Sequence, residues 1–212
     1  LERRVSKKNT DDLKLRSTNI FVEFICKIIQ PSNEELKEFI DNIQFLEAKK
    51  GDYLAAPGYI FQESFFVTKG FLRVFHKREK GDFTIEFAYK GRFSFDMSSH
   101  LQNVPTQFYY QAITDLEYIS MSKSFVFDFL KKYDNWETLR RRIVETSYVA
   151  NINRLFIFQT EDLLLRYKKF LELETDEIKN LPQIYIASYL GVKPQSLSRI
   201  KVKFHELYHS NK

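Results

Sequence analysis

Lys193, Gln195, Ser196, Ser198, Arg199, Lys201 and Lys203 fall within eleven consecutive residues near the C-terminal end of this 212-residue chain. Amide and hydroxyl side chains can bond base edges in a groove of duplex DNA, and lysine and arginine can neutralise phosphates. The stretch that holds them, Gln183-Ile-Tyr-Ile-Ala-Ser-Tyr-Leu-Gly-Val-Lys-Pro-Gln-Ser-Leu-Ser-Arg-Ile-Lys-Val-Lys-Phe204, reads as helix, tight turn, helix. Ile184, Ala187 and Leu190 are expected to bury the first helix, and the small Ala187 permits close approach of the second. Gly191 stands where the turn needs a positive φ without Cβ strain. Pro194 suits the first turn of the next helix, where its missing N–H has no partner to lose. Leu197 and Ile200 then anchor that helix inward, which leaves Gln195, Ser196, Ser198, Arg199 and Lys203 on or near the outward side. An ordinary αα-hairpin with a solvated basic face fits the same residues. The coincidence of glycine turn, inward anchors and basic outer face favours a DNA-binding helix-turn-helix.

Other chemistry is poorly supported. The four histidines are His76, His100, His205 and His209. His205-Glu-Leu-Tyr-His209 matches the bare zinc-protease pattern, but no third ligand or cleft accompanies it, so no metal site is expected. No Gly-rich phosphate loop or nucleophile elbow is present, and an enzyme is not expected. The single cysteine, Cys26, excludes an intrachain disulfide and any multi-cysteine cluster, which points to a reducing compartment, the cytoplasm. No run of roughly 20 apolar residues exists, so no membrane span is expected. Twenty-one Phe and 12 Tyr exclude disorder of the whole chain.

The net charge of +5 is uneven: residues 1–19 carry +3, residues 191–212 carry +4, and the 171 residues between carry −2. Basic ends of this kind suit nucleic acid or anionic lipid, or are simply solvated. Residues 1–17 show no helical or strand period and read as a flexible basic arm or a non-native remnant; the leading residue is Leu, not Met. Ile20, Phe21, Phe24, Ile25, Ile28 and Ile29 recur at helical spacing. Ser32 with Glu35 has capping-box form ahead of Leu36, Phe39, Ile40 and Ile43. From Gln44 to Met121 the pattern becomes short β-rich runs punctuated by glycine, without intervening helices. That is the signature of an antiparallel barrel, roll or sandwich. Glu79-Lys-Gly-Asp82 fits a hairpin tip. Helix returns at about Ser124, and Trp136 to Phe158 holds neither Gly nor Pro. Leu139, Ile143, Thr146, Ala150, Asn153 and Ile157 approximate a heptad seam for a partner helix; Val144, Tyr148, Ile152 and Leu155 form a second apolar line. Both lines could also be internal core.

The order of parts — helices, Gly-punctuated β-roll, one long helix, C-terminal helix-turn-helix — resembles the Crp/Fnr superfamily of bacterial transcription regulators. The likeness covers about residues 20–204 and is nearest the short, wingless members, in which Ile-Ala-Ser-Tyr-Leu-Gly and Ser-Leu-Ser-Arg-Ile recur; only eight residues follow Phe204, so the β-hairpin wing of larger relatives is not expected. It implies an α+β fold: a cyclic-nucleotide-binding-like β-roll over residues 18–134, a dimerisation helix over 135–159 and a DNA-binding domain over 160–212. It further implies a homodimer on double-stranded DNA, with RNA polymerase as a further partner. Gln195, Ser196 and Arg199 match positions at which the family contacts bases and phosphates. Lys193 replaces the usual capping hydroxyl and cannot accept the N–H bonds of an N-cap. In Phe93–Phe108, Asp96 replaces the ribose-binding Glu and Thr106-Gln107 replaces Arg-Ser, so the phosphate-pairing guanidinium is missing. Ser94, Asp96, Ser98, Ser99, Thr106 and Gln107 remain as a candidate effector pocket. Cyclic AMP is not expected as ligand; another small effector, or none, is. The rival reading is a ligand-sensing or scaffold dimer whose basic helical tail docks protein.

Overall fold

A computed structural model describes residues 10–79, 81–173, 176–179 and 181–209. The chain forms two compact units. Unit 1 holds the described residues up to His76 together with Glu86–Glu145; unit 2 holds Lys77–Ile85 and the described residues from Thr146 onward.

Unit 1 starts with helix α1 (Thr10–Cys26), earlier than the sequence pattern indicated. The expected arm over residues 1–17 is therefore corrected from Thr10 on; residues 1–9 lie outside the described residues. The reason is the stripe Leu13, Ser17, Phe21, Ile25, spaced by four, all of it buried. Ser17 disguises the period because it is polar. Its Oγ shares a hydrogen bond with Thr68 Oγ1 at 3.0 Å, which satisfies it inside the core. Helix α2 (Asn33–Asp41) is capped as the sequence indicates, with Ser32 Oγ accepting from Glu35 N at 3.2 Å.

Strands β1 (Gln44–Ala48), β2 (Tyr53–Ala55), β3 (Glu63–Lys69), β4 (Phe71–Arg78), β5 (Gly81–Tyr89), β6 (Arg92–Ser94), β7 (Tyr109–Ala112) and β8 (Leu116–Ser122) build two four-stranded sheets. Their orders are β1-β8-β3-β6 and β2-β7-β4-β5. The pairings are antiparallel, with Phe65 opposite Ser120 and Leu72 opposite Ala112. Period-two alternation sorts the side chains. Phe65, Val67 and Tyr118 turn into the space between the sheets with Leu72, Val74 and Tyr110. Their neighbours Phe66 and Ile119 turn to the opposite face, against Phe21, Ile25, Phe39, Phe129, Trp136 and Leu139 of the helices. The β1-β8-β3-β6 sheet is thus buried on both faces. At Gly70 (φ +81°) a Cβ would stand 2.1 Å from Asp115 O, so the β3–β4 junction admits no larger residue.

One expectation fails here: the roll does contain a helix, α3 (Met97–Gln102). Six residues are too few to show a period. The legible signal was a cap, since Asp96 Oδ1 accepts from Ser99 N at 3.1 Å.

Helix α4 (Lys123–Lys132) follows β8, and helix α5 (Asp134–Thr160) starts in unit 1 and ends in unit 2. Trp136 is 1% exposed; it stacks on Phe39 at 4.5 Å and donates Nε1–H to Glu35 Oε2 at 2.9 Å. Leu139, placed by the heptad pattern on a partner-facing seam, is buried in this core, and Ile143 packs against it. Thr146, Ala150 and Asn153 are exposed and Ile157 is half-buried. The exposed apolar stripe lies elsewhere: Tyr148, Val149, Ile152, Leu155 and Phe156. Helical spacing alone cannot say which of two apolar lines faces inward.

Unit 2 adds α6 (Leu163–Leu173), α7 (Asp176–Lys179), α8 (Gln183–Tyr189) and α9 (Pro194–His209). The end of the β4–β5 hairpin belongs to this unit. Ser188 Oγ accepts from Thr84 N at 2.9 Å and donates to Asp82 O at 2.8 Å. The Arg154 guanidinium donates to Thr84 O and Tyr189 O at 3.0 Å each, and also to Ile85 O. Of the hairpin tip Glu79–Asp82, Lys80 lies outside the described residues.

Candidate nucleic-acid interface

Helices α8 and α9 flank a short turn. Ile186, Ala187, Leu190 and Leu197 are buried at their junction. Gly191 takes φ +70°, as its place in the turn requires, and a Cβ there would meet Phe158 Cε1 at 3.2 Å. Pro194 opens α9, and the Lys193 carbonyl accepts from Ser196 N at 3.0 Å and Leu197 N at 3.2 Å. Lys193 therefore serves the helix start through its backbone and leaves its side chain exposed. Farther along, Phe204 packs edge-on against Tyr167 of α6, their centroids 5.5 Å apart.

Ile184 corrects one expectation. It is 61% exposed, and Ile186 fills the buried position instead. In a helix beginning at Gln183, the residue nearest the junction lies one position before Ala187, a rotation the sequence does not reveal.

The predicted contact residues lie largely where the helical period puts them. Lys193, Gln195, Ser198, Arg199 and Lys203 are exposed, Ser196 is partly exposed, and Lys201 is half-buried on the flank. Leu197 and Ile200 point the opposite way, fully and partly buried. Val202 was missed. At 58% exposure it extends the row Gln195, Arg199, Val202, spaced i, i+4, i+7 on one face. That spacing was visible, but an apolar residue is ordinarily read as an inward one. The row can present an amide, a guanidinium and a methyl-bearing surface, the groups that suit base edges, phosphate and the thymine methyl. Glu206, exposed, follows on the same row.

Of the residues proposed for an effector pocket, Asp96, Ser99 and Thr106 are engaged within the chain. Asp96 caps α3 with its carboxylate. Ser99 Oγ accepts from Phe61 N at 2.8 Å and donates to Val104 O. Thr106 Oγ1 accepts from Phe108 N at 3.2 Å. Ser98 and Gln107 face outward. Ser94 Oγ is buried with no hydrogen-bond partner among the described residues. Between the sheets, Phe61, Phe65, Tyr110 and Tyr118 pack ring on ring, and burial pushes the Tyr110 phenol well above its ordinary 10. No group of three or more metal-binding side chains occurs among the described residues, and no described helix is long and apolar enough to cross a membrane.

No family profile matches the sequence, and no curated protein matches it. Solved structures do. The regulator CLP of Xanthomonas campestris, described as responsive to c-di-GMP, superposes with a TM-score of 0.65 at 12% identity, over 85% of this chain and 96% of that one. A variant of CooA from Carboxydothermus hydrogenoformans gives 0.65 at 15% identity, over 96% and 87%. A Crp/Fnr-family transcriptional regulator of Thermus thermophilus gives 0.60 at 15%, over 78% and 88%. The superposition covers 87–96% of the length of these three proteins, and the fold of this chain is that of the Crp/Fnr transcription regulators.

Proposed function

We propose that the chain is a homodimeric, sequence-specific DNA-binding transcription regulator that inserts α9 into the major groove. The observation that carries this reading is the exposed row Gln195, Arg199, Val202, flanked by Lys193, Ser198 and Lys203, on a helix fixed from behind by Leu197. Glu206 on the same row would repel phosphates, which confines the contact to the first three turns of α9. The exposed stripe Tyr148, Val149, Ile152, Leu155 and Phe156 supports a dimer through the second half of α5, because five large side chains in a helical row seek cover. A twofold dimer reads a near-palindrome with half-sites roughly 34 Å apart. RNA polymerase is a further partner of this reading, and the cytoplasm its place.

The space between the sheets is proposed not to take cyclic AMP. The phosphate would lack a guanidinium, and the start of α3, where an anion would gain most, already faces the Asp96 carboxylate.

The test is duplex binding against salt. Lys193, Arg199, Lys201 and Lys203, doubled by symmetry and about half of them touching, give a log–log slope on the order of −4 to −7. Arg199→Ala is expected to weaken operator binding by about 1–3 kcal/mol and to leave folding stability within about 0.5 kcal/mol. Unchanged affinity, or a slope near −2, overturns the assignment. A second reading, a scaffold dimer whose tail docks protein, draws on exposed Ile184, Leu207 and Tyr208. Salt-insensitive association with no duplex preference would favour it.

A further inference from the structure

Unit 1 has a second interior. On the helical side of the β1-β8-β3-β6 sheet a cavity of about 110 Å³ opens between α4, the first turns of α5 and the segment before α3. Its walls include Phe95, Val126, Leu130, Trp136, Leu139 and Ile143. Dry apolar cavities of ~150 Å³ hold the six carbons of a benzene ring, so this one encloses about four to five non-hydrogen atoms.

Three polar side chains reach the wall: Ser64, His100 and Arg140. Arg140 brings no free charge, since Glu137 takes its guanidinium through Nε at 2.8 Å and through a second nitrogen. A carboxylate ligand would have to displace that partner. His100 is 8% exposed, and its Nε2 stands 3.0 Å from Glu63 O. A carbonyl only accepts, so Nε2 carries the proton and the neutral ring keeps an acceptor at Nδ1. Nδ1 has no hydrogen-bond partner among the described residues, and the ring lies between Phe61 and Phe95 with centroids 6.4 and 5.9 Å away. By contrast, the space between the sheets is filled by Phe61, Phe65, Tyr110 and Tyr118, with centroids 4.7–6.2 Å apart.

We infer that this cavity, and not the space between the sheets, binds a small neutral molecule and encloses about four to five of its non-hydrogen atoms, its apolar body against Trp136 and one hydroxyl on His100 Nδ1. The occupant bears on Leu139 and Ile143, and so on the helix that carries the exposed stripe. Its role as an effector rests on the regulator reading above; its binding does not.

Trp136 is the chain's one tryptophan, so its fluorescence reports the cavity alone. Trichloroethanol, chloroform and trichloroacetate share a quenching group and differ in bearing a hydroxyl, a hydrogen or a charge. With the full chain, trichloroethanol is expected to quench saturably and chloroform to bind about three- to tenfold more weakly. Trichloroacetate is expected to show only linear, collisional quenching. His100→Phe should remove the difference between the first two, and Leu130→Phe, which fills the cavity, should abolish saturation. Linear quenching by all three in the wild type overturns the site, and tighter binding of trichloroacetate overturns the neutral ligand. Titrating a duplex with and without trichloroethanol separates the two readings. Saturable quenching with unchanged duplex affinity removes the effector role, whereas absence of duplex binding in every condition removes the regulator reading and leaves the site standing.

Discussion

The two halves of α5 carry apolar residues of similar size and density and meet opposite fates. In the first half, Trp136 and Leu139 vanish into a core of phenylalanines from α1, α2 and α4. In the second, Tyr148, Val149, Ile152, Leu155 and Phe156 stand in the open, from 45% to 66% exposed. The first half borders a sheet face of its own unit that needs covering, and the second belongs to unit 2, where the stripe stays exposed. An amphipathic pattern thus states that a helix has something to bury, and only its surroundings state whether the cover is the same chain or another.

The sharpest way to break the contrast is to substitute apolar residues in each half. Trp136→Ala is expected to cost about 3–5 kcal/mol in urea unfolding, because it empties the stack on Phe39 and removes one of the two side-chain hydrogen bonds to Glu35 Oε2, the other coming from Asn135. A cost below about 1 kcal/mol would mean that the first half is not core. The double change Ile152→Glu with Phe156→Glu should leave the circular dichroism intact, yield monomers in sedimentation and lower operator affinity at least tenfold. Ile143→Glu should act differently, destabilising unit 1 by about 1–3 kcal/mol, since it sets a charge against the core. Dimers that survive the double change would move the interface off this stripe.

Two smaller effects sharpen the comparison between the units. Gly191→Ala is expected to cost about 1–2 kcal/mol, from the left-handed backbone and the approach to Phe158, and to be felt by the unfolding of the helical unit. His100 makes unit 1 sensitive to acid. Burial disfavours its imidazolium and Lys123 adds to this, while the Glu63 carbonyl and the charges of Glu63 and Asp96 oppose it. The net result holds its pKa below the ordinary 6.5. The unfolded chain therefore protonates first. Stability present in full above pH 6.5 is lost as the pH falls through that value toward the folded pKa. Thermal unfolding between pH 7.5 and 5 should show this slope in the wild type and a shallower one in His100→Phe. Equal slopes would remove His100 from the account.

Much of the fold was legible because it is written in local chemistry. Glycine at the turns, two-residue alternation in Phe65–Phe66 and Tyr118–Ile119, the Ser32 cap and the Gly191–Pro194 pair each constrain the backbone within a few residues. The outward face of α9 was legible for the same reason, since Leu197 fixes the rotation of a regular helix. Apart from the short α3, what failed had a long-range cause. Ser17 reads as polar until Thr68, fifty-one residues away, supplies its hydrogen bond. Ile184 reads as inward until the packing of Ile186 turns it out. Leu139 and Ile152 carry the same kind of side chain on one helix, and only the cover that the rest of unit 1 gives to Leu139 makes it core. Local sequence determined most of the elements, α3 and the start of α1 excepted, because caps, turns and periods act within one helical turn or one strand pair. Tertiary structure alone decided which apolar face is spent inside the chain, because that depends on the area each neighbouring element leaves uncovered.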